Sequence, residues 1–523
     1  MQNKNNLQDN LNIKRSITIA SLIMISSVLL SRIMGLVREQ VLAGFEGTSS
    51  NMSAYVASFL IPEFLNHLLA GGFLSITFIP IFQKYLITRE KEKSWKVFSN
   101  LLTVGSIVLF FLIILSMIFA KQIIGLLGEG APLELTTRLT RIILPAQIFF
   151  YWGAFLIAVQ YANNKFFLPS LLPLFYNAGI ILGGIFLYKK IGIEGFAWGV
   201  LAGAFAGNIV VQLPGAFSVG MKFKPIINLK DPDLKKYIIL TLPLIIGLGM
   251  TFSNEIFFRF FGSFLDKSAI AAINYSLRTM LILVAVFGQA TGVASYPYLS
   301  KLAAENNFKK INELMNSIIK KVSAFVIPCC AISIPISSQI IAILYQRGRF
   351  DEISTTYTAP IFSIYLIGAF PFAASTLIMR CFYANQNTIF PMTINTIFAI
   401  LSIPFYFIFS KLLGASGIAL ASTIAMLLQF VVLYFSWENR FGTKIEIFDF
   451  WRYIFKVFFA SLIGAGMCFI AKIFFTNIFW DKTFINNLLL GICSAILGII
   501  CYLIISILLK TIKIKNYLKF FIF

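Results

Sequence analysis

Five arginines, Arg32, Arg38, Arg259, Arg278 and Arg380, sit within stretches otherwise apolar enough to cross a membrane. An arginine at the centre of a bilayer helix costs about 2.5 to 3.5 kcal/mol on insertion scales, so its presence there calls for a purpose. Arg32 and Arg38 share the run SRIMGLVREQ. Six residues separate them, about 9 Å along a helix and ~120° away from a common face, a spacing that lets both line one wide, wet cavity. Guanidinium offers a planar donor fork that matches phosphate or carboxylate oxygens. The chemistry on offer is recognition of a large anion. Three acids, Glu39, Glu63 and Glu255, occupy the same stretches, leaving two positive charges in excess that an anion would balance. The bland role for Arg32, Arg38 and Arg278 is internal ion pairing, for instance of Arg38 with Glu39 or Arg278 with Glu255, against contact with a substrate. Arg259 and Arg380 lie near enough to span ends to reach toward headgroups. His67 follows Glu63 by four, the spacing of a structural helical pair; a titratable gate is the sharper reading.

The elements that must position these residues are membrane helices. Hydrophobic residues make up 58% of the 523, charged residues only 12%, and mean hydropathy is +0.85, the composition of an all-α polytopic membrane protein. Apolar runs near 20 residues long predict about fourteen transmembrane helices, beginning near Ser16, Ser53, Val97, Leu139, Leu168, Glu194, Tyr237, Ala269, Val322, Tyr357, Ile389, Ser416, Phe455 and Asn486. A cleaved leader over Ser16 to Leu30 is disfavoured, because the apolar pattern continues past the arginines. With the N-terminus placed in the cytoplasm, well over half of the 43 Lys and Arg fall in cytoplasmic segments, as the positive-inside rule requires. The basic tail at Lys513, Lys515 and Lys519 then also lies inside. The net charge of +22 reflects loops facing anionic lipid headgroups rather than a nucleic-acid partner. Cys329, Cys330, Cys381, Cys468, Cys493 and Cys501 lack metal-ligand spacing and read as packing residues. One histidine and no phosphate-loop motif leave no expected metal, cofactor or nucleotide.

An internal repeat organises the chain. Tyr161-Ala162-Asn163, Pro169, Gly195 and Ala197 recur as Tyr383-Ala384-Asn385, Pro391, Gly417 and Ala419, all at one offset of 222 residues. Thr136-Thr137 aligns more loosely with Thr355-Thr356, and Pro80 with Pro297. The predicted organisation is an N-lobe over 1–220, a C-lobe over 221–445, each of six helices, and two C-terminal helices with a basic tail over 446–523. An even number of spans per repeat makes the repeats parallel, about an axis along the membrane normal, and transport sites lie between such repeats. Pro62, Pro80, Pro243 and Pro297 fall inside spans, where kinked packing is the default.

The runs SRIMGLVREQVLAGF, FLIPEFLNHLLAGGFLSITFIPIFQKY, INYSLR, GVASYPYLSK, YQRGRFDE and FYANQNTIFP together resemble the MurJ (MviN) family of lipid II flippases, over about Ser16 to Trp437 with two further helices. The resemblance implies the fold of the multidrug and oligosaccharidyl-lipid exporters. It also implies movement of an undecaprenyl-pyrophosphate-linked peptidoglycan precursor from the inner to the outer leaflet of the bacterial cytoplasmic membrane. Carried onto this chain, it makes Arg32, Arg38 and Arg278 pyrophosphate and headgroup contacts, with Glu39 as the acid after the second arginine and Arg259 as the seventh-helix arginine. The last two helices would form a groove for the polyprenyl tail. Several positions depart from the family. Ser53 stands for an aspartate, Asn66 and His67 for paired arginines, Gly71 for a glutamate, and Phe258 and Asn387 for acids near a coupling-sodium site. The cavity is altered there, and nothing in the residues calls for a coupling ion.

Three functions compete on these terms. A flippase for lipid II, or for another polyprenyl-linked glycan, uses the cationic cavity by alternating access. A cation-coupled exporter of small cationic drugs wants intramembrane carboxylates instead. A membrane enzyme acting on polyprenyl carriers needs carboxylates or a metal near the surface, and the adjacent Asp351 and Glu352 read as a solvated turn. The chain is expected to be a transporter without catalytic residues, partnered by its lipid-linked substrate and membrane lipids.

Overall fold

A computed structural model describes residues 27, 30–69, 73–163, 165–249, 253–285, 291, 295, 298–299, 301–303, 305–385, 387–479 and 483–511. Gly71, Pro297, most of Ser16 to Leu30 and the basic tail beyond Thr511 lie outside this set. Among the described residues every regular element is helical. Nine of these helices are long and apolar enough to cross a membrane, against the fourteen expected from sequence. One of the nine, Ile389–Phe441, holds two predicted spans: it is broken at Gly414, whose φ of 58° and ψ of −134° are not helical. The stretches that begin near Ser16, Ser53, Tyr237 and Ala269 each run into undescribed residues.

The chain divides into two compact units, residues 1–42 with 50–249, and residues 43–49 with 250–523. The division falls later than residue 220. The reason lies in the connecting segment, which is fastened to the first unit by buried polar side chains. Lys224 N–H donates to Ser99 Oγ at 3.2 Å, and Asn228 N–H donates to Asn100 Oδ1 at 2.9 Å. Asn100 Nδ2 returns bonds to Asn228 O at 3.0 Å and Asp231 Oδ2 at 3.1 Å, and Tyr85 OH donates to Asp233 Oδ2 at 2.7 Å. Helix Pro232–Gly249 follows and packs on Leu60–Leu69, Phe73–Ile87 and Lys91–Ile124. Aromatic rings fill the core of this unit, with Phe78, Phe82, Trp95, Phe98, Tyr151 and Phe155 in edge and tilted contacts.

In the second unit, helices Lys444–Thr476 and Phe484–Leu508 pack on each other and on Phe308–Ser333. Tyr502 OH is tied to Ala324 O at 2.8 Å, and Cys468 sits in the same apolar cluster as Ile332, Ile336 and Ala460. All six cysteines are free and at least half-buried.

The repeat is visible in each unit's own backbone. Helices Ala146–Ala162 and Glu352–Ala384 stop at Asn163 and Asn385, with similar φ, ψ of −106°, 19° and −86°, 16°. The hairpins that follow turn at Gly192 (φ 61°, ψ −143°) and Gly414 (φ 58°, ψ −134°), again 222 residues apart. A side chain is strained in that region, which explains glycine at both places. Earlier in each unit, Thr140 Oγ1 donates to Ser58 O and Ser276 Oγ to Thr358 O, both at 3.1 Å and both across 82 residues. The same helix pair is thus joined in each unit by one hydroxyl, with donor and acceptor elements exchanged.

Candidate functional site

In the first unit, helical residues 30–42 carry Arg32, Arg38 and Glu39. Arg32 is exposed, Arg38 half-buried and Glu39 buried. Arg38 Nη2 donates to Glu39 Oε1 at 2.6 Å, a short charge-assisted bond, while Nη1 donates to Asn177 Oδ1 at 3.0 Å. Asn177 stands on helix Phe167–Ile191, where its Nδ2 donates to Pro173 O at 2.8 Å. That second bond turns the amide oxygen toward Arg38. The guanidinium is thereby held in one orientation, and its charge is balanced by one neighbour.

The second unit builds a different cluster. Helix Ser253–Gly262 presents Glu255 and, one turn on, Arg259; helix Ala269–Val284 presents Arg278. Glu255 Oε2 accepts from Arg259 Nη2 at 3.3 Å and from Arg278 Nη2 at 3.4 Å, and Oε1 accepts from Arg278 Nη1 at 3.5 Å. One carboxylate is shared by two guanidiniums. The Arg259 side chain is 2% exposed, with its cation 5.3 Å from the centre of the Phe258 ring. This corrects the expectation that Arg259 reaches toward headgroups: Glu255 and the ring hold it inside. Arg278 keeps 31% of its side chain exposed. It is the member of the trio able to meet a solute.

The other residues singled out by sequence are scattered around these. Ser53 is fully buried on helix Ser50–Ala57. Asn66, His67 and Glu63 are half-buried on helix Leu60–Leu69, and Arg380 is half-buried near the end of Glu352–Ala384. Asn387 Oδ1 accepts the Phe390 N–H at 3.1 Å and so caps the start of the next helix. Sequence reasoning missed Asn177. Its signal was present, as an amide in the otherwise apolar run SLLPLFYNAGIILGGIF. Among the described residues no group of three or more His, Cys, Asp or Glu could hold a metal ion.

Guanidiniums on apolar helices mark this chain as a membrane protein with polar groups inside its helical bundles. A solved multidrug transporter of the MATE family, in an inward-facing conformation, matches with a TM-score of 0.67 at 14% identity, over 80% of this chain and 98% of that one, a likeness of fold. A solved structure titled lipid II flippase MurJ, inward closed conformation, matches with a TM-score of 0.77 at 27% identity, over 94% of this chain and 99% of that one. In sequence, a probable lipid II flippase MurJ of Thermotoga maritima is 28% identical over 495 residues, 94% of this chain and 96% of the relative. One from Buchnera aphidicola subsp. Baizongia pistaciae is 27% identical over 473 residues, 88% and 90% of the two chains. The profile of the family described as lipid II flippase MurJ matches residues 42–494. The chain is a multi-pass membrane protein and belongs to the lipid II flippase MurJ family.

Proposed function

We propose that this protein flips lipid II, the undecaprenyl-pyrophosphate-linked peptidoglycan precursor, from the inner to the outer leaflet of the bacterial cytoplasmic membrane. The observation that carries the reading is the match to a family named for lipid II flipping, and the Glu255 trio, two guanidiniums on one carboxylate of apolar helices, supplies cations suited to an anionic headgroup. Arg278 and Arg38 contact the pyrophosphate, Arg32 and Glu39 extend the first cluster toward the headgroup, and Arg259 holds Glu255. Ser53, Asn66 and His67 shape the headgroup's surroundings.

Fourteen helices complete the architecture. The Gly414 break makes ten spans of the nine observed, and the four stretches that run into undescribed residues supply the rest. Both termini face the cytoplasm, as the basic loops favour. The carrier exposes its arginines to the two sides of the membrane in turn, while the lipid tail stays in the bilayer. Because the cell interior is negative, export of an anionic headgroup is favoured by about 2.3 kcal/mol per net charge per 100 mV, less any charge the protein moves. No coupled ion is needed. Export of small cationic drugs is disfavoured by these intramembrane arginines, since such substrates want carboxylates instead.

The test is to express the chain in bacteria depleted of their own flippase and to label lipid II in the outer leaflet with an impermeant reagent. Outer-leaflet lipid II is expected to return with the parent and to stay absent with Arg278→Ala at equal expression. Return with both would remove Arg278 from the mechanism. Return with neither, at good expression, would point to another polyprenyl-linked glycan.

A further inference from the structure

The segment between Ser218 and helix Pro232–Gly249 carries a surface that the arginine clusters do not use. It leaves the apolar span Glu194–Ser218 directly, so it starts at the level where a span meets the headgroups. Its backbone is pinned to the flank of another apolar span, Lys91–Ile124, through Ser99 and Asn100. The Asn100 amide takes both backbone groups of Asn228, accepting its N–H at 2.9 Å and donating to its carbonyl at 3.0 Å. The two side chains that flank this clasp are left outside, Ile227 at 65% and Leu229 at 72% exposure. Phe223 is also exposed, with its ring edge toward Phe98. Three large apolar side chains are thus held in the open by a fastened backbone.

The charges of the same stretch are sorted by sign. Asp231 and Asp233 are half-buried and turned inward: Asp231 Oδ2 accepts from Asn100 at 3.1 Å and its Oδ1 from the Asp233 N–H at 2.9 Å, while Asp233 Oδ2 accepts from Tyr85 OH at 2.7 Å. Lys222, Lys224, Lys230, Lys235 and Lys236 are exposed, and among the described residues none of them forms an ion pair. Exposed apolar side chains rimmed by cations mark a membrane or protein contact, and the neighbouring apolar spans make the adjoining phase lipid. The net positive surface complements a leaflet that holds anionic phospholipid. We propose that residues 219–236 form a surface that reads lipid charge: Phe223, Ile227 and Leu229 enter the headgroup boundary, and the five lysines bind anionic phospholipid headgroups. This goes beyond the basic bias of the loops as a whole, because the Asn100 clasp decides which side chains face out.

The test places an environment-sensitive fluorophore on Leu229→Cys of the full-length protein, with the parent labelled in parallel as background for its own cysteines. Both are reconstituted into vesicles of phosphatidylcholine alone or mixed with phosphatidylglycerol. With phosphatidylglycerol, the label is expected to shift to the blue and to be shielded from iodide; in phosphatidylcholine alone it is expected to stay open to iodide. Each lysine replaced by glutamine among Lys222, Lys224 and Lys230 is expected to weaken the contact about fivefold at low salt, from ~1 kcal/mol per basic residue at an anionic surface, and added salt to weaken it further. Asn100→Ala is expected to lose the shielding with every lysine still present. A label open to iodide in both vesicles leaves the surface to a protein partner and overturns the proposal. Equal shielding in both vesicles, or a triple lysine variant that behaves as the parent, also overturns it, since lipid charge would then not be read. If Asn100→Ala does not fold, the triple lysine variant decides.

Discussion

The two arginine clusters meet the same physical problem, a guanidinium on an apolar helix, in opposite ways. In the first unit Arg38 has a carboxylate of its own at 2.6 Å and an amide oriented for its other nitrogen. In the second unit Arg259 and Arg278 share Glu255 at 3.3 to 3.5 Å. The first pairing is short-bonded; the second shares one carboxylate between two guanidiniums at longer range. The shared carboxylate also sets the order of burial: Arg259 is enclosed, and Arg278 is left to meet the solute.

This contrast can be broken most sharply by truncating one carboxylate-bound arginine in each cluster. Arg278→Ala and Arg38→Ala are both expected to abolish flipping while surface expression stays near that of the parent, as read by outer-leaflet lipid II per copy of protein. Wild-type flipping by either would assign that arginine to packing. Next in size, Glu255→Gln removes the carboxylate that Arg259 and Arg278 share and is expected to cost about 3 to 5 kcal/mol, the range for a broken buried pair. Glu39→Gln, whose arginine keeps Asn177, is expected to cost about 1 to 3 kcal/mol. Thermal melting of the purified variants checks the order, and equal losses would erase the distinction between the clusters.

The repeat offers an internal control. Gly192→Ala and Gly414→Ala place a side chain at equivalent strained turns, and each is expected to cost about 1 to 3 kcal/mol. Nothing lies within 4 Å of a Cβ added at either position, so the losses should match; a large difference would mean that packing rather than backbone strain sets the cost. The smallest effect is expected from Asn177→Ala, which removes one bond to Arg38 but leaves Glu39. Flipping is expected to fall about three- to tenfold, in line with ~0.7 to 1.4 kcal/mol for one hydrogen bond, with Asn177→Asp retaining more activity than Asn177→Ala.

Much of this was legible from residue types alone. A 222-residue offset announced the matched asparagine stops and glycine turns, because local backbone needs repeat wherever the sequence does. Glu39 and Glu255 were legible as the alternative, internal partners of Arg38 and Arg278 beside the favoured substrate contact, since an intramembrane charge leaves few choices of acid. Other features depend on how helices rotate about their axes. Asn177 meets Arg38 from a helix 139 residues away, and no local period shows which polar residue faces inward. Arg259 looked free to reach a headgroup until the placement of Glu255 and the Phe258 ring was known. The bonds of Ser99 and Asn100 to the connecting segment carry the unit boundary past residue 220 to Gly249, and they arise from tertiary contacts between short polar residues with no pattern of their own.

The central claim is that the arginines serve a pyrophosphate-linked glycan lipid. The most direct measurement is growth of a flippase-depleted bacterium complemented by this chain or by its Arg38→Ala variant, with both proteins quantified in the membrane. The account predicts rescue by the parent and lysis with Arg38→Ala at the same abundance. Rescue by both at the same abundance would contradict it.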